Sequence, residues 1–201
     1  MAASQYSLLG DLYYRMCEFS KAERYLEKSY KATRFMISAP GMDQTAGFDQ
    51  VLIKHANIEL CLANCYTDLG KFDQAEQVFK ETITHHELLA QKNAMALSFE
   101  LINCYVCYAR MFLKKQDYKT TKAILDKARN LIDKYRKQGQ ANVYDRIEAV
   151  YFDVEADFLC EQKEFVEAKV KYQKAINLLK MFGEKRKVKE IEEKIEKIIR
   201  K

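Results

Sequence analysis

The chain has 201 residues, of which 48% are hydrophobic and 31% are charged, with a net charge of +5. This apolar content excludes a disordered adaptor, and one proline and six glycines leave little sequence that would interrupt helices. No run of about 18 apolar residues and no basic-then-apolar leader is present, so we expect neither a membrane span nor a signal peptide.

The first element is a helix pair predicted over residues 4–37. Its apolar and small residues follow a fixed spacing, Tyr6-x2-Leu9-Gly10-x2-Tyr13 and then Ala22-x3-Leu26. Gly10 allows two helices to cross closely, and Ala22 lets the second helix approach. The spacing resembles the tetratricopeptide-repeat (TPR) signature W-x2-L-G-x2-Y…A-x3-F. The resemblance implies stacked antiparallel helix pairs that bind other proteins.

The same spacing recurs three more times along the chain. The small residues of the second helices, Ala22, Ala75, Thr121 and Ala168, are separated by steps of 53, 46 and 47 residues. The usual step is about 34, so the pairs are elongated. We therefore predict an all-α fold, an α-solenoid of about four antiparallel TPR-like pairs in a single domain, 1–201. The pairs span roughly 4–37, 50–90, 94–137 and 142–181, followed by a C-terminal capping helix at 184–200.

In chain order, the pattern predicts nine helices, near residues 4–17, 20–37, 50–70, 72–90, 94–115, 118–137, 142–162, 165–181 and 184–200. The segment 38–47, which contains Pro40, is the strong loop signal, and 137–140 is a weaker one. Gly183 ends the eighth helix. The last helix carries an apolar stripe, Val188, Ile191, Ile195, Ile198 and Ile199, which favours capping of the final pair. A coiled-coil or partner-binding helix is the alternative.

The cysteines and histidines are the candidates for chemistry. Cys61-x3-Cys65 and Cys104-x2-Cys107 resemble metal-ligand spacings, but their repeat register favours small buried side chains. The rings of His85 and His86 point about 100° apart on a helix, so they are poor joint ligands, and their place near the end of a predicted helix favours a surface pair. No phosphate loop, His-Glu-x-x-His motif or nucleophile elbow is present. We therefore expect no metal, no cofactor and no enzymatic activity.

The TPR resemblance implies that the first helix of each pair lines a concave groove. Register places these groove residues on it: Tyr14, Arg15, Asn57, Leu60, Asn64, Asn103, Val106, Arg110, Lys114, Asp153 and Asp157. The asparagines can bond a peptide backbone, and Arg110 and Lys114 can hold a carboxylate. Tyr14, Leu60 and Val106 would be the apolar anchors.

Three functional hypotheses follow from this groove. The first is a non-catalytic protein–protein interaction scaffold that binds a peptide or helix of a partner. The second is a sensory or regulatory TPR module that binds a short signal peptide. The weakest is nucleic-acid binding through the basic third pair, at 94–137, which a steep salt dependence would reveal. Exposed Leu8 and Leu12 at the N-terminal edge suggest self-association. Six cysteines without a secretory leader indicate reduced thiols and a cytoplasmic location.

Overall fold

The structure, a computed structural model, describes residues 3–137 and 141–199, and side chains there except at 94–96 and 141–143. The described residues form nine α-helices and one 3₁₀ turn. The helices are α1 (Ala3–Arg15), α2 (Phe19–Ile37), α3 (Phe48–Asp68), α4 (Phe72–Lys92), α5 (Ala94–Lys114), α6 (Tyr118–Arg136), α7 (Ala141–Glu161), α8 (Phe165–Met181) and α9 (Lys185–Ile199). The predicted all-α fold of repeated helix pairs is confirmed.

The chain divides into two compact units, with the boundary inside α5 between Cys104 and Tyr105. Unit 1 contains α1 to α4 and the first half of α5, and unit 2 contains the rest. Each unit is described by itself below. The single domain over 1–201 stays a prediction.

In unit 1, α1 packs on α2, α2 on α3 and α3 on α4. The close crossing predicted at Gly10 is present, because a Cβ at this position would lie 2.6 Å from Leu26 Cγ. Tyr13 and Tyr25 stack beside it with ring centroids 5.4 Å apart. The TPR spacing therefore describes the actual contact between the first two helices.

The connection between α2 and α3 occupies residues 38–47, as predicted, and holds a 3₁₀ turn at Met42–Gln44. Gly41 opens this turn with φ of 74°, which a residue without a side chain adopts readily. Of the weaker break predicted at 137–140, Lys137 follows α6 directly and the other three residues lie outside the described part of the chain.

In unit 2, α7 packs on α8 and α8 on α9. Val188 and Ile191 of α9 are buried, so the predicted capping helix covers α8 through the first part of its apolar stripe. The end of the stripe differs from the prediction, because Ile199 is largely exposed. Residue 200, the last of the predicted helix, lies outside the described residues.

One turn geometry recurs at five helix junctions of the described residues. Each turn places one residue in the left-handed region with φ between 59° and 73°: Cys17, Gly70, Gln116, Lys163 and Gly183. The residue after it donates its backbone N–H to the carbonyl five positions earlier. After Cys17, Glu18 donates to Tyr13 at 2.9 Å, and after Lys163, Glu164 donates to Leu159 at 2.9 Å. This is the Schellman motif that ends a helix. The first four positions are again 53, 46 and 47 residues apart, which matches the sequence register.

Candidate functional site

Two of the predicted groove residues, Tyr14 and Arg15, lie at the end of α1. The Tyr14 hydroxyl donates to Asp68 Oδ2 at 2.6 Å and so joins α1 to α3. Arg15 pairs with Asp11 on its own helix at 2.8 Å and stays exposed. Tyr14 is therefore a structural contact as well as a candidate anchor.

The other predicted residues of α3 and the centre of α5 separate by burial. Asn57 is exposed, and Asn64 and Asn103 are partly buried. Leu60 and Val106 are buried, with Val106 0% exposed, so neither presents a side chain to a ligand in this conformation. The polar members of this set thus remain candidates for binding, whereas the two apolar members belong to the core.

Unit 2 contains a cavity of about 280 Å³ that includes two predicted residues, Arg110 and Asp153. Arg110 Nη2 lies 3.6 Å from Asp153 Oδ2, and both side chains are partly exposed. The lining combines apolar and charged side chains from α5, α7, α8 and α9: Arg110, Ala149, Val150, Asp153, Leu179, Lys187, Glu190, Ile191 and Lys194. The predicted register therefore leads to a real concavity in this unit.

The last helix, α9, contributes a charged residue to the lining of this cavity that the sequence analysis did not select. Lys194 Nζ donates to Asp153 Oδ1 at 2.7 Å and to both oxygens of Asp157 at 2.9 Å. Lys194 follows the buried Ile191 by three positions and so lies on the same face of α9, which was the available signal. Lys194 was not selected because the sequence analysis interpreted α9 only as a capping helix.

Burial and charge compete in this ionic cluster. Burial raises the pKa of Asp157 above its usual range, although Lys194 lowers it. Burial lowers the pKa of Lys194, but the carboxylates of Asp153 and Asp157 outweigh this effect and leave the pKa raised. The Tyr172 hydroxyl also donates to Asp157 Oδ1 at 2.5 Å. The cluster thus holds one ammonium between two carboxylates beside the cavity.

Asp157 also lines a second, more open depression of about 350 Å³ together with Lys114. Lys114 itself is exposed at the end of α5. Cys160 and Glu161 complete one wall of this depression. The charged residues predicted in unit 2, Arg110, Lys114, Asp153 and Asp157, thus line these two concavities, whereas Val106 belongs to the core.

The basic face predicted on the third pair is partly neutralised. Arg129 contacts Glu148 Oε1 through both terminal nitrogens at 2.8 and 2.9 Å. Arg136 pairs with Glu148 Oε2 at 2.7 Å and also with Asp145. These two arginines hold α6 to α7, and their carboxylate partners lower their attraction for phosphate.

The cysteine prediction is confirmed at two positions. Cys65 and Cys104 are both fully buried, as the repeat register indicated. Burial raises the pKa of the Cys65 thiol to about 12, so the thiol stays protonated and unreactive.

The interpretation of His85 and His86 as a surface pair is wrong. His86 is 1% exposed, and burial lowers its pKa to about 4. The physical reason is that α4 continues to Lys92, so both histidines lie inside a packed helix and not at its end. Among the described residues, His85 instead groups with His55 and Glu59.

The chain matches the family model described as ComR tetratricopeptide over residues 57–195. It therefore belongs to this tetratricopeptide family, which confirms the resemblance found in the sequence. No curated protein matches the chain. Within the described ranges, every helix is too short or too polar to cross a lipid bilayer.

Proposed function

We propose that this chain is a non-catalytic regulatory TPR module that binds a short peptide. The family supports this function, because membership of the ComR tetratricopeptide family suggests a TPR domain that binds a peptide and has a regulatory role. Domains of this type are typically non-catalytic. Of the hypotheses from the sequence, the peptide-sensing module is therefore preferred to the general scaffold.

The cavity of unit 2 is the observation that carries the proposal. Its volume of about 280 Å³ is close to the lower end of ligand pockets, and suits one or two side chains. Val150, Leu179 and Ile191 supply apolar lining, while Arg110, Asp153 and Lys194 supply charge of both signs. A short peptide offers the same combination, an apolar side chain next to a charged terminus.

In this proposal Arg110 holds a peptide carboxylate, because a guanidinium can bond both carboxylate oxygens. A peptide ammonium would compete with Lys194 for Asp153 and Asp157. Asn57, Asn64 and Asn103 belong to unit 1 and do not line this cavity, so their predicted bonding of a peptide backbone stays a separate prediction.

Binding can be tested with an array of synthetic peptides of about five to eight residues, followed by fluorescence polarisation on the peptides that bind. We expect Arg110→Ala to weaken binding about tenfold or more, which corresponds to about 1.4 kcal/mol or more. Arg24→Ala is the matched control, because Arg24 is an exposed arginine of α2 outside the cavity. If no peptide binds, or if both variants bind equally well, the cavity is not the peptide site.

The scaffold alternative predicts a different result in the same assay. A scaffold would bind a folded partner or a long helix and would ignore short peptides. The nucleic-acid alternative requires steep loss of binding with added salt. The ion pairs of Arg129 and Arg136 with Glu148 argue against it.

The N-terminal edge supports one further proposal about assembly. Leu8 and Leu12 of α1 are 71% and 52% exposed, in agreement with the sequence expectation for this face. Self-association through this edge stays a prediction. A sedimentation experiment that finds only monomers at high concentration would contradict it.

A further inference from the structure

Unit 1 contains a histidine–glutamate cluster that the proposed peptide site does not use. His55 and Glu59 lie one turn apart on α3, and His85 faces them from α4. Glu59 is 0% exposed, His55 is 1% exposed and the His85 side chain is 24% exposed. One ligand atom from each residue can be chosen so that all three lie within 4.8 Å of one another.

A threonine of α2 forms a hydrogen bond with His55. Thr33 Oγ1 lies 2.8 Å from His55 Nδ1 and also donates to the Ser29 carbonyl at 3.0 Å. A hydroxyl has one hydrogen, so when it goes to the carbonyl, the oxygen accepts from Nδ1–H. The Nε2 lone pair of a neutral His55 then points away from Thr33. Histidines that bind metals are oriented by a hydrogen bond of this kind.

The other ring nitrogen of His55, Nε2, lies next to a carboxylate oxygen of Glu59. Glu59 Oε2 lies 2.8 Å from His85 Nδ1, with which it forms a hydrogen bond. Glu59 Oε1 is buried and has no hydrogen-bond partner, although His55 Nε2 lies 3.1 Å away. In the Nδ1–H tautomer of His55 both atoms are acceptors and repel each other unless a positive charge lies between or beside them, whereas in the Nε2–H tautomer the ring donates to Oε1. The buried oxygen is thus aimed into a position that suits a cation.

We propose that His55, Glu59 and His85 bind a divalent transition metal ion, with Zn²⁺ as the expected metal. Two imidazole nitrogens and one carboxylate oxygen form a ligand set that zinc accepts, with bonds of about 2.0–2.2 Å. Such bonds separate tetrahedral ligands by on the order of 3.4 Å, and the three ligand atoms lie within 4.8 Å of one another. The metal replaces the proton that His85 Nδ1 shares with Glu59.

His85 is the partly exposed member of the three, so the cluster is nearest to solvent on its side. The metal would join α3 to α4, with Thr33 on α2 as the outer support. The site is therefore structural in this proposal, and it stabilises unit 1 in proportion to metal occupancy.

The test uses the full chain, freed of metal with a chelator and then titrated with Zn²⁺ or Co²⁺. We expect one equivalent to bind and the melting temperature to rise by several degrees. The Co²⁺ complex should absorb in the visible range without a thiolate charge-transfer band, since no cysteine belongs to the cluster.

Variants separate this site from adventitious binding. Glu59→Gln and His85→Ala should each weaken Zn²⁺ binding at least tenfold, and Thr33→Val should weaken it less. His86→Phe is the control, because it removes the neighbouring histidine, whose ring nitrogens have no hydrogen-bond partner, and leaves the three ligands intact. Circular dichroism checks that each variant is folded.

Two outcomes would overturn the proposal. The absence of Zn²⁺ binding by the folded wild type would mean that a proton alone satisfies the cluster. Equal binding by wild type, Glu59→Gln and His85→Ala would place the metal elsewhere. Neither outcome bears on the peptide site of unit 2, which Arg110→Ala tests separately.

Discussion

Both units place ionisable groups between helices, but the two clusters of groups differ in their exposure to solvent. In unit 1, Glu59 and His55 are sealed from solvent. In unit 2, the cluster of Asp153, Asp157 and Lys194 remains partly open beside a cavity. A sealed cluster must satisfy its own atoms, whereas an open one can exchange partners with water or a ligand. The difference suggests that the first cluster holds structure and the second serves recognition.

Removal of a carboxylate from the sealed cluster should have the largest effect. We expect Glu59→Ala to lower the free energy of unfolding by about 3 kcal/mol, because it removes a buried carboxylate and leaves His85 Nδ1 without its acceptor. Urea denaturation of the metal-free protein measures this change. A loss below about 1 kcal/mol would contradict the distinction between the sealed and open clusters.

The open cluster should tolerate the loss of its cation better. We expect Lys194→Ala to cost about 1 kcal/mol, since water can reach Asp153 and Asp157 when the ammonium is gone. Lys197→Ala on the exposed face of the same helix is the control and should cost almost nothing. If Lys194→Ala costs as much as Glu59→Ala, the two clusters do not differ in the way described.

The repeated turns permit a comparison in which only the backbone matters. Gly70 in unit 1 and Lys163 in unit 2 have φ of 73° and 64°. A Cβ at Gly70 would meet nothing within 4 Å. Gly70→Ala should therefore destabilise by about 1 kcal/mol through backbone strain alone, and Lys163→Gly should stabilise by a similar or smaller amount.

Thermal unfolding of the two turn variants tests both signs. Lys169→Gly provides a contrast, because Lys169 is exposed within helix α8, where glycine should destabilise by about 1 kcal/mol. If Lys163→Gly and Lys169→Gly both stabilised the protein, the left-handed turn at residue 163 would not explain the effect.

Substitution of Glu100 in unit 1 should change the free energy of unfolding least, and this change should depend on pH. Burial raises the pKa of this carboxyl group, and its Oε2 has no hydrogen-bond partner. A raised folded pKa means that the native state binds the proton more tightly, so stability falls as pH rises from about 4.5 through the folded pKa. Glu100→Gln should therefore stabilise by up to about 1 kcal/mol at pH 7 and by little at pH 4. An identical gain at both pH values would exclude ionisation as the cause.

The sequence predicted the helices well because their signals are local. The predicted and observed helix ends differ by at most two residues at the described positions, and the steps between repeats agree with the positions of the turns. Glycine marks the turn at Gly70, but Cys17, Gln116 and Lys163 adopt the same geometry without it. Composition alone therefore could not reveal that the turn is common to all four pairs.

The candidate sites were harder to predict because they depend on contacts across helices. Register assigned both Arg110 and Asp153 to the first helices of successive pairs, and the structure places these two side chains 3.6 Å apart. It did not select Lys194, because the partner carboxylates are 41 and 37 residues away. The burial of His86 also depends on packing around α4, which a helical pattern by itself does not specify.

The shared turn has a consequence for how such a chain tolerates insertions and deletions. Backbone hydrogen bonds fix the few residues between the two helices of a pair, so a change of length there would rotate the second helix out of register. The connection from α2 to α3 spans ten residues, whereas the single residue Asn93 joins α4 to α5. Length is thus free to vary between pairs and constrained within them. A designer who lengthens this protein, or inserts a reporter domain, should open it at residues 38–47 and leave the turns intact.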